Sequence, residues 1–237
     1  MSAAAILGQA IAWFLKSFGK DLVVISKDLL QHQWARVFDN RPVLFLGPKQ
    51  AGKSSLISFL RYGKPFELDK AGAVRTPDPT LAAAVIDERV SVQHQKWLQI
   101  KQDLPGDQML RATWALAVTD FHPLGIGYII DARDESKIVG QVQEACREVL
   151  DACYPDGPRE LGALHLFLSF SDCWAHSATA SRRHQKIARD ALEEELAKRP
   201  VFAGLRADVA VLHLSPHASD WPDARRALEH FGTDLSP

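Results

Sequence analysis

Cysteine, surplus charge and long apolar runs are scarce in this sequence. Its 237 residues include three cysteines, Cys146, Cys153 and Cys173, with no CxxC pair, so a disulfide framework is not expected and a reducing cytoplasm is the default. The formal net charge of -1 gives no general attraction to nucleic acid. The apolar segment Ala3–Leu15 is well short of the roughly 20 residues that span a bilayer. Ser2 stands where N-myristoylation requires glycine, and we expect neither acylation nor export.

The N-terminal region carries an amphipathic pattern. Apolar residues recur at steps of three and four between Leu7 and Leu29, which predicts one face of a helix or a helix pair. We therefore expect a helical segment over residues 1–41, followed by a second domain over residues 42–237. The helix either packs on that domain or docks on a membrane surface or a protein partner through residues 6–30.

Apolar runs and helical stretches alternate after Pro42, which predicts an α/β fold. The expected strands are Val43–Leu46, Leu81–Val90, Trp97–Asp103, Gly125–Asp131, Ala163–Ser169 and Ala207–Leu214. The expected helices are Lys53–Arg61, Gln108–Val118, Ser136–Cys153, Thr179–Lys198 and Asp220–Phe231, on both faces of the sheet. The gap between the second and third strands is too short for a crossover, so the six-stranded sheet should be mostly parallel with one antiparallel hairpin strand. The glycine and proline content of residues 62–79 predicts a long loop.

Residues 47–54, GPKQAGKS, match the phosphate-binding pattern GxxxxGK[ST] and lie between a predicted strand and a predicted helix. Glycines in such a loop let successive backbone N–H groups face the phosphates at the helix N-terminus. We expect Lys53 to bridge the β- and γ-phosphates, Ser54 to bind Mg²⁺ and Ser55 to contact the α-phosphate. The pattern predicts a P-loop NTPase fold.

Two further motifs follow the P-loop: Pro79–Thr80, and residues 103–106, DLPG, which match DxxG. Together they resemble the switch I Pro-Thr and the DxxG motif of the Ras/Arf-like small GTPases, and most of all the beta subunit of the signal-recognition-particle receptor. The resemblance implies GTP or GDP as ligand, with Thr80 and Asp103 completing the Mg²⁺ site and the Gly106 N–H reading the γ-phosphate. Thr76 competes with Thr80 for the same role.

The guanine-recognition motif departs from the family's NKxD. Residues 169–172 read SFSD, so only Asp172 is kept, and an aspartate there accepts two hydrogen bonds that guanine offers and adenine does not. Phe170 is expected to replace the lysine stem by stacking on the base. Ser215, after the last strand, occupies the position of the family's SAK-type loop.

Hydrolysis is expected to be slow. Asp107 follows DxxG where Ras-like enzymes have the glutamine that orients the attacking water, and Gln108 comes one residue later. Lys49 and Gln50 occupy P-loop positions that are small in Ras, where they either crowd the γ-phosphate or add positive charge to it. Arg75 is a conceivable arginine finger within the chain.

The sequence thus predicts a Mg²⁺-dependent GTP-binding switch or structural GTPase that recruits a protein partner. It is cytoplasmic or peripheral to a membrane. Asp131 at the end of an apolar strand also fits a Walker-B aspartate, which leaves a P-loop ATPase or kinase as an alternative; a GTP-holding scaffold without turnover is another. The candidate catalytic residues are Lys53, Asp107 and Gln108. The candidate nucleotide contacts are Gly47, Lys49, Gln50, Ala51, Gly52, Lys53, Ser54, Ser55, Gly106, Phe170, Asp172 and Ser215, and the candidate Mg²⁺ ligands are Ser54, Thr80 and Asp103.

Overall fold

A six-stranded sheet forms the centre of the computed structural model, which describes residues 40–62, 67–68, 74–75, 84–92, 96–104, 106, 112–158, 160–175, 177–214 and 221–235. In chain order its strands are β1 (Asn40–Leu46), β4 (Ala84–Val92), β5 (Lys96–Asp103), β6 (Gly125–Asp131), β7 (Ala163–Ser169) and β8 (Arg206–Val211), and the spatial order is β4-β5-β1-β6-β7-β8. Strand β4 pairs antiparallel with β5, and the other neighbours are parallel. The predicted α/β class with a parallel sheet is confirmed.

Helices connect the parallel strands. They are α1 (Lys53–Tyr62), α2 (Ala112–Phe121), α3 (Ile138–Ala145), α4 (Ser171–Trp174), α5 (Ala178–Ala197) and α6 (Pro222–Asp234). A 3-10 turn at Glu135–Lys137 precedes α3, and a π-helical segment at Cys146–Asp151 follows it. The stretch predicted as one helix from Ser136 to Cys153 therefore contains three kinds of helical hydrogen bonding.

Two further regions depart from the sequence prediction. Strands β2 (Glu67–Leu68) and β3 (Val74–Arg75) pair antiparallel inside the segment predicted as a loop, so that prediction was incomplete. Two residues are too few to show the alternation that marks a strand. The four-residue helix α4 was not predicted, because one helical turn is shorter than any periodic pattern.

The sheet carries a hydrophobic layer on each face. Alternate side chains of each strand point to opposite faces, so Leu44 and Leu46 pack on one side and Val43 and Phe45 on the other. The first layer packs against α2, α3 and α5, and the second against α1 and α6. Strands β6 and β7 are buried on both faces, as expected for the middle of a parallel sheet covered by helices.

The topology brings the candidate residues to one edge of the sheet. Strands β1, β5, β6, β7 and β8 run in one direction, so the loops after them meet at their carboxyl ends. The P-loop, DLPG, Asp131 and the residues after Ser169 all lie at those strand ends or in the loops after them. Ligands of open α/β folds bind at this edge.

The predicted N-terminal helix and its docking surface at residues 6–30 lie outside the described residues, which belong to a compact unit beginning at Asn40. Within the described part of the chain, no helix combines the length and apolarity needed to cross a membrane.

Candidate nucleotide-binding site

The P-loop curls tightly between β1 and α1. Its backbone has positive φ at Gly47 (142°), Gln50 (63°) and Gly52 (101°). A Cβ atom on Gly47 would stand 2.5 Å from the carbonyl oxygen of Ile129, so the loop passes directly over the backbone of β6. Only glycine combines that φ with so close an approach.

The ammonium group of Lys53 lies inside this loop. Its Nζ donates hydrogen bonds to the carbonyl oxygens of Gly47 (2.9 Å) and Pro48 (2.8 Å), and the residue is 6% exposed. Lys53 is also the first residue of α1, so a buried cation and a helix N-terminus coincide. Both favour an anion at this place.

The DLPG segment packs against the P-loop. Strand β5 pairs with β1 so that Asp103 stands opposite Phe45, and Leu104 is buried in the core at 1% exposed. A Cβ atom on Gly106 would collide with Lys53 Nζ and would stand 2.5 Å from the carbonyl oxygen of Gly47. The structure therefore brings the two sequence motifs into direct contact, although 48 residues separate them.

The residues present at this edge suit Mg²⁺. Ser54 is in the first turn of α1, and Asp103 ends the strand that pairs with β1. A hydroxyl and a carboxylate are hard oxygen donors, which Mg²⁺ prefers alongside phosphate oxygens and water. The third predicted ligand, Thr80, lies outside the described residues, as do Asp107, Gln108 and Ser215.

The end of β7 reaches the P-loop through Ser169. A Cβ atom on Gly52 would be 3.8 Å from Ser169 Cβ. The Ser169 hydroxyl donates to the carbonyl of Ile130 (2.8 Å), and Trp174 Nε1 donates to the carbonyl of Ser169 (2.8 Å). Ser169 thus holds the strand end beside the loop.

Phe170 follows in the left-handed conformation with φ 55°, and Arg133 covers its ring. The guanidinium carbon is 4.2 Å from the ring centroid, a cation–π contact. The same guanidinium donates to both carboxylate oxygens of Asp131, from Nε to Oδ1 (2.9 Å) and from the terminal nitrogen to Oδ2 (2.6 Å). Partial burial opposes the shift, but the hydrogen bonds and charge of Arg133 hold the pKa of Asp131 below its usual value. The Asp131 carboxylate is therefore ion-paired with Arg133.

Asp172 lies in the first turn of α4, and its side chain is exposed. The residue before it, Ser171, is buried, and its hydroxyl lies 2.6 Å from Nδ1 of His213. His213 follows β8, so this hydrogen bond joins the loops after β7 and β8. Asp172 is therefore exposed to solvent on a helical turn that is held by the hydrogen bonds of Ser171 and Trp174 on either side of it.

Sequence reasoning missed two residues of this region. Arg133 had a readable signal, since it comes two positions after an aspartate at a strand end. His213 gave no signal, because its partner Ser171 is 42 positions away. The side chains of Lys49 and Gln50 are exposed.

No protein-family profile matches the chain, and no curated protein matches it in sequence. Among solved structures, a chain of the mammalian SRP receptor matches with a TM-score of 0.56 at 16% identity, over 81% of this chain and 100% of that chain. The Arl6 BBS3 small GTPase from Trypanosoma brucei, solved with a bound nucleotide analogue, matches with a TM-score of 0.47 at 13% identity, over 83% and 99%. The SRP receptor chain is matched over its whole length on the α/β architecture described above. The chain therefore has a small-GTPase-like fold, as its motifs predicted.

Proposed function

We propose that this chain binds GTP and GDP with Mg²⁺ at the P-loop and acts as a nucleotide switch or structural GTPase that recruits a protein partner. The observation that carries the proposal is the packing of Gly106 on Lys53 and Gly47. A segment in contact with the phosphate loop senses whether a terminal phosphate is present, because that phosphate must share the space beside Lys53. GTPase switches usually work in this way: segments beside the terminal phosphate are ordered when it is present and released when it is lost.

The P-loop residues have defined roles in this proposal. Backbone N–H groups between Gly47 and Ser54 face the phosphates, and the Lys53 ammonium leaves its two loop carbonyls to pair with phosphate oxygens. Ser54, Asp103 and Thr80 hold Mg²⁺, which neutralises phosphate charge when bound. Lys49 and Gln50, exposed at the loop tip, lie beside the phosphate chain, and Ser55 contacts the α-phosphate.

Guanine preference rests on Asp172. Its carboxylate accepts from the ring N–H and exocyclic amine of guanine, a pair of donors that adenine lacks. Phe170 provides an aromatic wall on the same segment, supported from one side by Arg133. Ser215, which lies outside the described residues, is a further nucleotide contact in this proposal.

Turnover is slow in this proposal. Asp107 occupies the position where a water-orienting glutamine is expected, and Gln108 is displaced by one residue. A partner that supplies an arginine would raise the rate by about 10³- to 10⁵-fold. We further propose a cytoplasmic protein that docks on a membrane surface or partner through residues 6–30.

Base preference is tested by isothermal titration of nucleotide-free protein with GTP, GDP and ATP in Mg²⁺ buffer. Wild type should prefer guanine nucleotides, and Asp172→Ala should lose that preference because two hydrogen bonds to a charged group are removed. Asp190→Ala is the matched control, since Asp190 is an exposed helical aspartate paired with Lys186. ATP binding that is as tight as GTP binding, and indifferent to Asp172, would refute guanine specificity and favour the ATPase alternative.

A further inference from the structure

A second cluster of ligand-type side chains lies away from the P-loop edge. His165 is in the middle of β7, whereas the nucleotide site lies beyond the end of that strand at Ser169. His230 and Asp234 are one turn apart on α6, which packs over β7 and β8. Nitrogen and oxygen atoms of these three side chains all lie within 4.8 Å of one another.

The three donor atoms lie close together. His165 Nε2 is 2.7 Å from Asp234 Oδ2, and His230 Nε2 is 3.8 Å from the same oxygen. The two imidazole rings are side by side, with centroids 5.4 Å apart. His165 is fully buried, and its other nitrogen has no hydrogen-bond partner among the described residues, so this ring acts through Nε2.

The outer nitrogen of His230 is already oriented. His230 Nδ1 is 3.2 Å from Asp208 Oδ2, and Arg189 donates to the other oxygen of Asp208 at 2.9 Å. A carboxylate that accepts from Nδ1 leaves the Nε2 lone pair of a neutral histidine for a metal ion. This is the support that metal-bound histidines usually have.

We propose that His165 Nε2, His230 Nε2 and Asp234 Oδ2 bind a first-row transition ion of the Zn²⁺ type. Two ligands at about 2.0–2.2 Å from a tetrahedral Zn²⁺ are roughly 3.3–3.5 Å apart, which lies between the two distances observed here. Two imidazoles and one carboxylate select Zn²⁺ over Mg²⁺, which prefers oxygen ligands. A fourth position is left for water or an exogenous ligand.

The proposed ion joins α6 to the sheet. His165 is part of β7, and both other ligands are on α6, so metal binding cross-links the helix to strand β7. The cross-link stabilises the folded chain more as free metal rises, with the logarithm of its concentration above the Kd, since the unfolded chain does not hold the three ligands together. This inference does not depend on nucleotide binding.

The test is a titration of tag-free, chelator-treated, nucleotide-free protein with ZnCl₂, followed by calorimetry, and with CoCl₂, followed by visible absorption. Wild type should bind one Zn²⁺ and show the visible bands of four-coordinate Co²⁺. His230→Ala should weaken Zn²⁺ binding by more than about 100-fold, and Asp208→Asn, which keeps all three ligands but weakens the carboxylate support of His230, by about 10- to 100-fold. Because the His230 side chain is 54% exposed, its removal should leave the fold intact, which circular dichroism checks.

His122→Asn is the matched control. His122 is an exposed histidine outside the cluster with φ 45°, a conformation that asparagine tolerates. The control should bind Zn²⁺ as wild type does, and only in proteins that keep His230 should Zn²⁺ raise the melting temperature. Equal Zn²⁺ binding by wild type and folded His230→Ala would overturn the proposal, and so would the absence of Zn²⁺ uptake by wild type.

Discussion

Gly106 lies so close to Lys53 that a single methyl group between them would collide with the lysine ammonium and with the carbonyl oxygen of Gly47. The contact joins the segment after β5 to the phosphate loop after β1. It gives the P-loop a neighbour that can respond to the nucleotide.

Gly106→Ala should weaken GTP binding by about 10- to 100-fold, since overpacking costs about 1–3 kcal/mol. Gly140→Ala is the control, because a Cβ atom there meets nothing within 4 Å and replaces glycine inside α3. It should leave GTP binding unchanged and stabilise the protein by up to ~1 kcal/mol. Calorimetric titration and urea unfolding measure the two effects. Unchanged GTP affinity in Gly106→Ala would contradict the proposed coupling.

Arg133→Ala should accelerate release of guanine nucleotide. The variant removes a cation–π contact with Phe170 worth about 0.5–1 kcal/mol at exposed sites, which corresponds to about a 2- to 5-fold loss in affinity. Release of a fluorescent GDP analogue, measured by stopped flow, tests this. Arg147→Ala, which removes an exposed arginine paired with Glu148, should release the analogue at the wild-type rate. The same rate in all three proteins would show that Phe170 does not contact the base.

Asp131→Asn distinguishes the GTPase hypothesis from the alternative that Asp131 is the Walker-B aspartate of an ATPase. The carboxylate is held by Arg133 in a partly exposed pair, so its neutralisation should change Mg²⁺-dependent nucleotide affinity by less than about 5-fold. A Walker-B aspartate would be needed for Mg²⁺ binding. Titration with Mg²⁺·GTP and Mg²⁺·ATP decides the point, and loss of ATP binding in Asp131→Asn would support the alternative.

Glu195 near the end of α5 should make stability sensitive to acid. Hydrogen bonds from Lys198 and then from Arg199 lower the pKa of Glu195 below its ordinary value of 4.5. A carboxyl with a lowered folded-state pKa stabilises the protein fully above its unfolded-state pKa, and the stabilisation is lost as the pH falls through the folded-state pKa.

Glu195→Gln should therefore be less stable than wild type at neutral pH, and the difference should shrink at successive pH values below 4.5. Urea unfolding at each pH measures the free energies. Glu194→Gln is the control, since Glu194 is 70% exposed and its pair with Lys198 is worth at most about 0.5 kcal/mol. A stability difference for Glu195→Gln that stays constant with pH would be the contrary result.

Local patterns in the sequence predicted most of the fold. Strands β6 and β7 begin and end at the predicted residues, because each is a continuous apolar run flanked by loop residues. The ends of α1 and α5 differ from prediction by one residue, as fraying and capping allow. The β2–β3 pair, helix α4 and the π-helical segment were missed, since each depends on tertiary contacts or is shorter than a periodic pattern.

The candidate site also has a part that the sequence predicted and a part that it did not. The P-loop was readable because its residues are consecutive, and its approach to Gly106 was expected from the order of two motifs. The contact between Arg133 and Phe170 and the hydrogen bond between Ser171 and His213 were not, because they join separate loops whose approach is set by the sheet. A single sequence carries no local record of such pairings.

The central claim is that the P-loop holds a nucleoside triphosphate, and titration of nucleotide-free wild type and Lys53→Ala with Mg²⁺·GTP tests it most directly. Wild type should bind one GTP, and Lys53→Ala, with a wild-type circular dichroism spectrum, should bind it more than about 100-fold more weakly because charge-assisted hydrogen bonds to phosphate are lost. Equal affinity in the two proteins, or no binding by wild type, would contradict the account.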